Sequence, residues 1–242
     1  MSHFNVAVLS HSPEDVEELL APFCEDPSSD DYLEIVPANE SIEEIRAQYE
    51  QKRKNGEDFA SFVSRYYGYT YNEELNECGY LCNPNAKWDW YEIGGRWSDM
   101  LRLKPSIKGD HGKRRTCNQA RLRDVDLSID QAAHDQAIRF WEVVVEGDAL
   151  REHENAETFQ TFYRKEYYIN RFGDKQAFAM DTTSFSVWAF VSPDGEWHEI
   201  GEMGWFSMHN ATRESRRTFA DELKAALEAD PDLWLTIVDC HI

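Results

Sequence analysis

The stretch Ser2-His3-Phe4-Asn5-Val6-Ala7-Val8-Leu9 is the starting point for predicting the fold. Its alternation places Phe4, Val6 and Val8 on one face, which predicts a β-strand. A helix should follow, because the run Ser12-Pro13-Glu14-Asp15 has a hydroxyl N-cap, a proline in the first turn and two acidic residues beside the helix N-terminus. The sequence therefore predicts a strand followed directly by a helix.

The other end of the sequence contains the same two elements in reverse order. Thr212 can cap a helix, and residues 234–242 have the composition of a strand. Helices grouped between strands predict an α+β fold with a mixed or antiparallel sheet, not a doubly wound parallel sheet. One helix beside each terminal strand suggests a split-βαβ, ferredoxin-like core. We expect a single domain over 1–242 with a helical insertion around 104–183.

The segments between these ends are predicted from caps, turn residues and periodicity. Four helices are predicted to begin near Ser41, Asp58, Ile129 and Glu152. A long loop is predicted from Tyr69 to Ala86, and two hairpins are predicted over 88–103 and 184–200.

Net charge limits the classes of partner. The 242 residues include 46 acidic and 25 basic side chains, which gives a formal charge of −21. This charge repels phosphate backbones, so we expect no non-specific binding of nucleic acid. The acidity has two interpretations: a solvated surface, or mimicry of a nucleic acid that is offered to a basic protein.

Composition also predicts the compartment. Five scattered cysteines do not resemble a disulfide framework, so reduced thiols are expected. We expect no signal peptide, because Met1 to Leu9 is short and lacks a basic region. Since no apolar run approaches the roughly 20 residues that span a bilayer, the sequence predicts a soluble cytoplasmic protein without membrane contact.

The densest candidate binding segment is Asn83-Pro84-Asn85-Ala86-Lys87-Trp88-Asp89-Trp90-Tyr91-Glu92-Ile93-Gly94-Gly95-Arg96-Trp97. A glycine pair allows close backbone approach, indoles can stack on a ligand, and cationic side chains can hold an anion. The ligand-binding candidates are Lys87, Trp88, Trp90, Arg96 and Trp97. The structural alternative is an aromatic hairpin in which the glycines serve only the turn.

A second candidate site joins the two terminal strands. Alternation places His3 and Asn5 on one face of the first strand, and Asp239 and His241 on one face of the last strand. If these strands are neighbours, His3, Asp239 and His241 converge, and could perform acid–base catalysis or bind a divalent metal. The alternative is that these are frayed polar residues in water. The sequence identifies no cofactor and assigns no metal.

The chain resembles a family of uncharacterised proteins that are encoded by bacteriophages and some bacteria. The resemblance rests on the Met-Ser-His-Phe start, the segment from Asn83 to Trp97, and Val-Asp-Cys-His at 238–241. It extends from end to end of the chain. It implies a phage or prophage origin, and it implies no activity and no catalytic residue.

Two functions remain open at this stage. The first is a phage-encoded accessory protein that binds a host protein inside the bacterial cell, for example a component of host defence. The alternative is an enzyme or a sequestering protein for a small anionic, nucleotide-like ligand. The absence of a recognisable catalytic motif favours the first, and whether the chain is an enzyme stays open.

Overall fold

A computed structural model describes residues 2–107, 115–204 and 208–242. The α+β class is confirmed. The helices are α1 (Val16–Leu20), α2 (Ile42–Lys52), α3 (Phe59–Tyr67), α4 (Gln131–Trp141), α5 (Lys165–Phe172), α6 (Lys175–Thr183) and α7 (Arg213–Ala229). The strands are β1 (His3–Ser10), β2 (Glu34–Pro37), β3 (Thr70–Asn72), β4 (Glu77–Cys82), β5 (Trp90–Ile93), β6 (Leu101–Arg102), β7 (Thr116–Cys117), β8 (Gln119–Arg121), β9 (Ala189–Val191), β10 (Trp197–Glu199) and β11 (Trp234–His241). No described helix is both long and apolar enough to cross a bilayer.

The chain forms two compact units. The main unit contains residues 1–19 and 91–242, and the inner unit contains residues 20–90. The division was not visible in the sequence, and independent folding of 1–242 as a single domain stays a prediction. Within the predicted insertion at 104–183, the α-helices begin only at Gln131, and residues 108–114 lie outside the described part of the chain.

The main unit is built on a sheet with the strand order β10-β9-β1-β11-β5, and β8 also pairs with β11. β1 runs antiparallel to β11 along its whole length and parallel to β9. The sheet is therefore mixed. The ferredoxin-like detail is not confirmed, because a split βαβ unit has a strand between its parallel strands, whereas β1 and β9 are direct neighbours.

One face of this sheet carries the core of the main unit. Ala7 and Leu9 of β1 lie on this face, opposite Ile237 and Leu235 of β11. Helix α7 covers it with Phe219 and Leu223, which are four residues apart and so point to the same side. Thr212 caps α7 as predicted, since its side chain accepts the backbone N–H of Ser215.

The inner unit packs α2 and α3 around a small core of Ile45, Phe62 and Val63. The predicted cap at Ser41 is confirmed, since its side chain accepts the backbone N–H of Glu44. The side chain of Asp58, where the next helix is predicted to begin, accepts the backbone N–H of Ser61. The predicted loop from Tyr69 to Ala86 is wrong, because it contains β3 and β4, which form a sheet in the order β2-β4-β3. An Asx turn joins β3 and β4: the side chain of Asn72 accepts two backbone N–H groups.

Two other predictions need correction. Residues 88–103 do not form a hairpin, because β5 pairs with β11, β6 pairs with β7, and a 3₁₀ turn over Gly95–Trp97 separates them. The predicted helix from Glu152 reduces to a 3₁₀ turn at Ala156–Phe159 and α5, which begins only at Lys165. The second hairpin, β9–β10, is confirmed.

The helical part of the main unit contains a charge cluster with a measurable pH signature. The Arg139 guanidinium donates from Nε to Oε1 of Glu154 at 2.8 Å and from Nη2 to Oε2 at 2.9 Å. These bonds, and a further one from the backbone N–H of Arg151, lower the pKa of Glu154 to about 2. Because the folded pKa lies below the unfolded value of about 4.5, this stabilisation is complete above that pH and is lost as the pH falls towards 2.

We therefore expect Glu154→Gln to remove part of the acid sensitivity of folding. Its free energy of unfolding should fall less steeply than that of the wild type between about pH 4.5 and pH 2. Urea unfolding at several pH values measures this slope. Glu152→Gln, at an exposed position nearby, serves as the control and should follow the wild type. Equal slopes for all three proteins would contradict the assignment.

Candidate functional site

The residues predicted at the two chain ends come together at one end of the β1–β11 ladder. His3 lies opposite His241, and Asn5 lies opposite Asp239. Nδ1 of His3 is 2.8 Å from Oδ1 of Asp239, and their side chains are only 14% and 3% exposed. The His241 ring meets the His3 ring edge-on, with 4.9 Å between centroids. These side chains are ordered by the sheet, not frayed.

The buried carboxylate of Asp239 is held from a second direction by the chain after β5. The backbone N–H of Arg96 donates to its Oδ2 at 2.9 Å. Two residues before Arg96, the backbone N–H of Gly94 donates to the carbonyl oxygen of Ile237 at 2.8 Å. Both carboxylate oxygens therefore have a partner, as a buried charge requires.

The glycine pair makes this approach possible. Gly95 has φ +49°, and a Cβ there would lie 2.4 Å from the Cβ of Asp239. Gly94 has φ +79°, and a Cβ there would lie 2.3 Å from Nδ2 of Asn118. Backbone in this region favours glycine, and the contacts leave no room for a side chain. The glycines thus bring the backbone close to a buried aspartate of the same unit.

The pair of His3 and Asp239 fixes the tautomer of the imidazole. Because an ionised carboxylate can only accept hydrogen bonds, this contact favours the tautomer in which Nδ1 of His3 carries the proton. The lone pair of the neutral ring then lies on Nε2. A histidine oriented in this way through its other nitrogen can act as a general acid or base.

The metal interpretation of this cluster receives no support. Among residues 2–107, 115–204 and 208–242, no group of three His, Cys, Asp or Glu side chains is arranged to hold a metal ion. Nδ1 of His3 and both oxygens of Asp239 already form hydrogen bonds within the protein. The thiol of Cys240 is fully buried, which raises its pKa and makes it a poor nucleophile.

The predicted ligand-binding residues are divided between the two units. Lys87, Trp88 and Trp90 belong to the inner unit, whereas Arg96 and Trp97 belong to the main unit. Trp88 is a core residue: it is 7% exposed, and its Nε1 donates to the carbonyl of Leu20 at 3.3 Å.

The remaining members of this set differ in exposure. Trp97 is half-buried against the main core, whereas Trp90 and the Arg96 side chain are exposed. Arg96 contributes its backbone N–H to Asp239, a role that residue type alone does not indicate.

A small cavity of about 170 Å³ lies elsewhere in the main unit, between β6, residues 125–128 and residues 183–185. It is smaller than the roughly 300–1,000 Å³ typical of small-molecule sites. None of the predicted site residues lines it. The hydroxyl of Ser184, one of its lining residues, is buried and has no hydrogen-bond partner among the described residues. Water is a suitable occupant for a cavity of this size and polarity.

Trp188 was not identified from the sequence as a neighbour of the cluster on the two terminal strands. Its backbone N–H donates to the side-chain oxygen of Asn5 at 2.9 Å, so it lies beside the ladder position of Asn5 and Asp239. Only the parallel pairing of β1 with β9 brings it there, and no local pattern indicates that pairing.

Comparisons with known proteins give no family assignment: no protein-family model, no curated protein and no solved structure matches the chain.

Proposed function

We propose that the protein binds a small anionic molecule where β1 begins and β11 ends, and that His3 exchanges a proton with it. The observation that supports this proposal is the hydrogen bond from His3 to a carboxylate that is itself buried and held by the backbone of Arg96. A carboxylate fixed in this way orients the imidazole, as in other acid–base pairs.

The electrostatics of the site agree with this proposal. Asp239 compensates the charge that His3 gains when it takes a proton. The Arg96 side chain, which is exposed next to the backbone N–H that holds Asp239, can attract an anionic ligand in a chain of net charge −21. The residues of this proposal are therefore His3 as the acid–base group, Asp239 as its positioning residue, and Arg96 as a contact to the anion.

The test separates binding from chemistry. Wild-type protein is incubated with a panel of nucleoside phosphates and phosphomonoesters, and phosphorus NMR follows both binding and conversion. His3→Gln keeps a donor that can reach Asp239 but lacks the basic nitrogen. We expect conversion of a panel member to slow by roughly 100-fold or more, with its affinity little changed. Failure of every compound to bind, or full conversion by His3→Gln, would overturn the proposal.

A second candidate function is partner binding, in which a phage-encoded accessory protein engages a host protein in the bacterial cytoplasm, for example a component of host defence. Two neighbouring aromatic side chains support this candidate: Phe162 is fully exposed and Tyr163 is 56% exposed. Exposed aromatic side chains are enriched at protein interfaces.

This candidate is tested by co-purification from bacterial lysate with wild-type protein and Phe162→Ser. The expected result is a stoichiometric partner that the variant loses. Recovery of no partner, or of the same partner with Phe162→Ser, argues against it.

A further inference from the structure

Two arginine side chains of the main unit carry buried N–H groups that lack an acceptor. They are Arg171, in the last turn of α5, and Arg216, in the first turn of α7. Nε of Arg171 and Nη2 of Arg216 are buried, and neither atom has a hydrogen-bond partner among the described residues, 2–107, 115–204 and 208–242. Neither side chain forms an ion pair with any described carboxylate. Such groups are costly to bury, so each requires an explanation.

A third buried donor lies beside them. The guanidinium carbon of Arg216 lies 5.9 Å from the ring centroid of Trp188, whose Nε1–H is also buried without an acceptor in the described chain. The ring of Trp188 also contacts the ring of His209, with 5.1 Å between centroids. Arg171 lies over the ring of Tyr167 at 5.8 Å. Arg216 and Trp188 are therefore direct neighbours, and Arg171 lies near enough to Arg216 for its charge to lower the pKa of that guanidinium.

The charges in this region are unbalanced. Burial, followed by the nearby charge of Arg171, lowers the pKa of Arg216, and the attraction of Asp181 only partly opposes this. Burial and the same two arginines also lower the pKa of His209. A third arginine, Arg213, passes close to Gly173 at the end of α5. The chain has 46 acidic residues, yet none forms an ion pair with Arg171 or Arg216 in the described part. An external anion would supply the missing charge and the missing acceptors.

We propose that Arg171, Arg216 and the indole N–H of Trp188 bind the phosphate group of a ligand, either inorganic phosphate or a phosphomonoester. Phosphate fits because its several oxygens can each accept from a different donor, and arginine forms charge-assisted bonds to it. Nε of Arg171 and Nη2 of Arg216 are buried, and hydrogen bonds are stronger in such surroundings than in water. This site shares no residue with the proton-transfer pair, and it exists whether or not His3 performs chemistry.

Trp188, the residue before β9, connects this site to the strand that contains His3. Trp188 donates its backbone N–H to Asn5, and Asn5 is the ladder partner of Asp239.

The test measures phosphate affinity with matched arginine variants. Isothermal titration with inorganic phosphate, and separately with glycerol phosphate, is carried out on the wild type, Arg216→Met and Arg217→Met. Arg217 is the exposed neighbour of Arg216 on α7, so it controls for lost charge. We expect saturable binding to the wild type, at least about tenfold weaker binding to Arg216→Met, and a change within about twofold for Arg217→Met. Tighter binding of glycerol phosphate than of phosphate identifies an esterified ligand, and equal binding identifies the free anion.

Thermal unfolding distinguishes a ligand site from a structural role of Arg216. In phosphate, compared with chloride of equal ionic strength, the melting temperature of the wild type should rise and that of Arg216→Met should not. A purely structural arginine would change the melting temperature equally in both salts. The proposal is overturned if the wild type shows no saturable binding, or if the two variants lose affinity equally.

Discussion

Replacing Gly95 with alanine will lower the free energy of unfolding by about 2–5 kcal/mol. The positive φ of this residue costs about 1–2 kcal/mol for a side-chain-bearing residue. The new methyl group would also lie 2.4 Å from the Cβ of Asp239, and such overpacking costs about 1–3 kcal/mol. Neither group can move easily, because Asp239 is held by both His3 and the Arg96 backbone. Urea unfolding measures the change.

Gly147→Ala is the matched control for this experiment. Gly147 also has a positive φ, +85°, but a Cβ there would meet no atom within 4 Å. Its substitution should therefore cost only the conformational part, about 1–2 kcal/mol. Equal losses for the two variants would mean that the Gly95 backbone does not press against Asp239, and the proposed support of His3 would fail.

Replacing Trp88 with alanine will destabilise the inner unit by about 3–5 kcal/mol, the usual cost of truncating a buried tryptophan. Its indole is 7% exposed and donates to the Leu20 carbonyl. Its backbone also bridges to Cys24, so the ring is fixed between the start and the end of the inner unit. Thermal or urea unfolding, followed by near-ultraviolet circular dichroism, reports the loss.

Trp90→Ala provides the contrast, because Trp90 is 50% exposed. We expect this variant to lose less than about 1 kcal/mol, as for most surface substitutions. The sequence alone gives both tryptophans the same candidate role in ligand binding. A Trp88→Ala protein that is as stable as the wild type but loses affinity for anions would restore that role and contradict its assignment to the core.

Local signals in the sequence predicted the elements that depend on neighbouring residues. The caps at Ser41, Asp58 and Thr212 are satisfied by side chains within three residues, so each can be predicted without knowledge of the fold. The β9–β10 hairpin follows in the same way from its Pro-Asp-Gly turn. Strand alternation was sufficient to place His3 and Asp239 on one face once β1 and β11 were assumed to be neighbours.

Features that depend on distant pairing could not be predicted. Trp88 to Leu103 has the composition of a hairpin, but β5 pairs instead with β11, far along the chain. The requirement for glycine at position 95 follows from its contact with Asp239, which is distant in the sequence. The arginine cluster is similarly hidden, because Arg171, Trp188 and Arg216 come from three elements with no common spacing.

The central claim is that Asp239 fixes the tautomer of His3, and nitrogen NMR of histidine-labelled protein tests it most directly. The spectrum is recorded under alkaline conditions, where free imidazole is neutral. We predict that His3 of the wild type carries its proton on Nδ1, and that Asp239→Asn shifts the proton towards Nε2, the tautomer generally favoured by free histidine. A wild-type His3 protonated on Nε2, or a tautomer that Asp239→Asn leaves unchanged, would contradict the account.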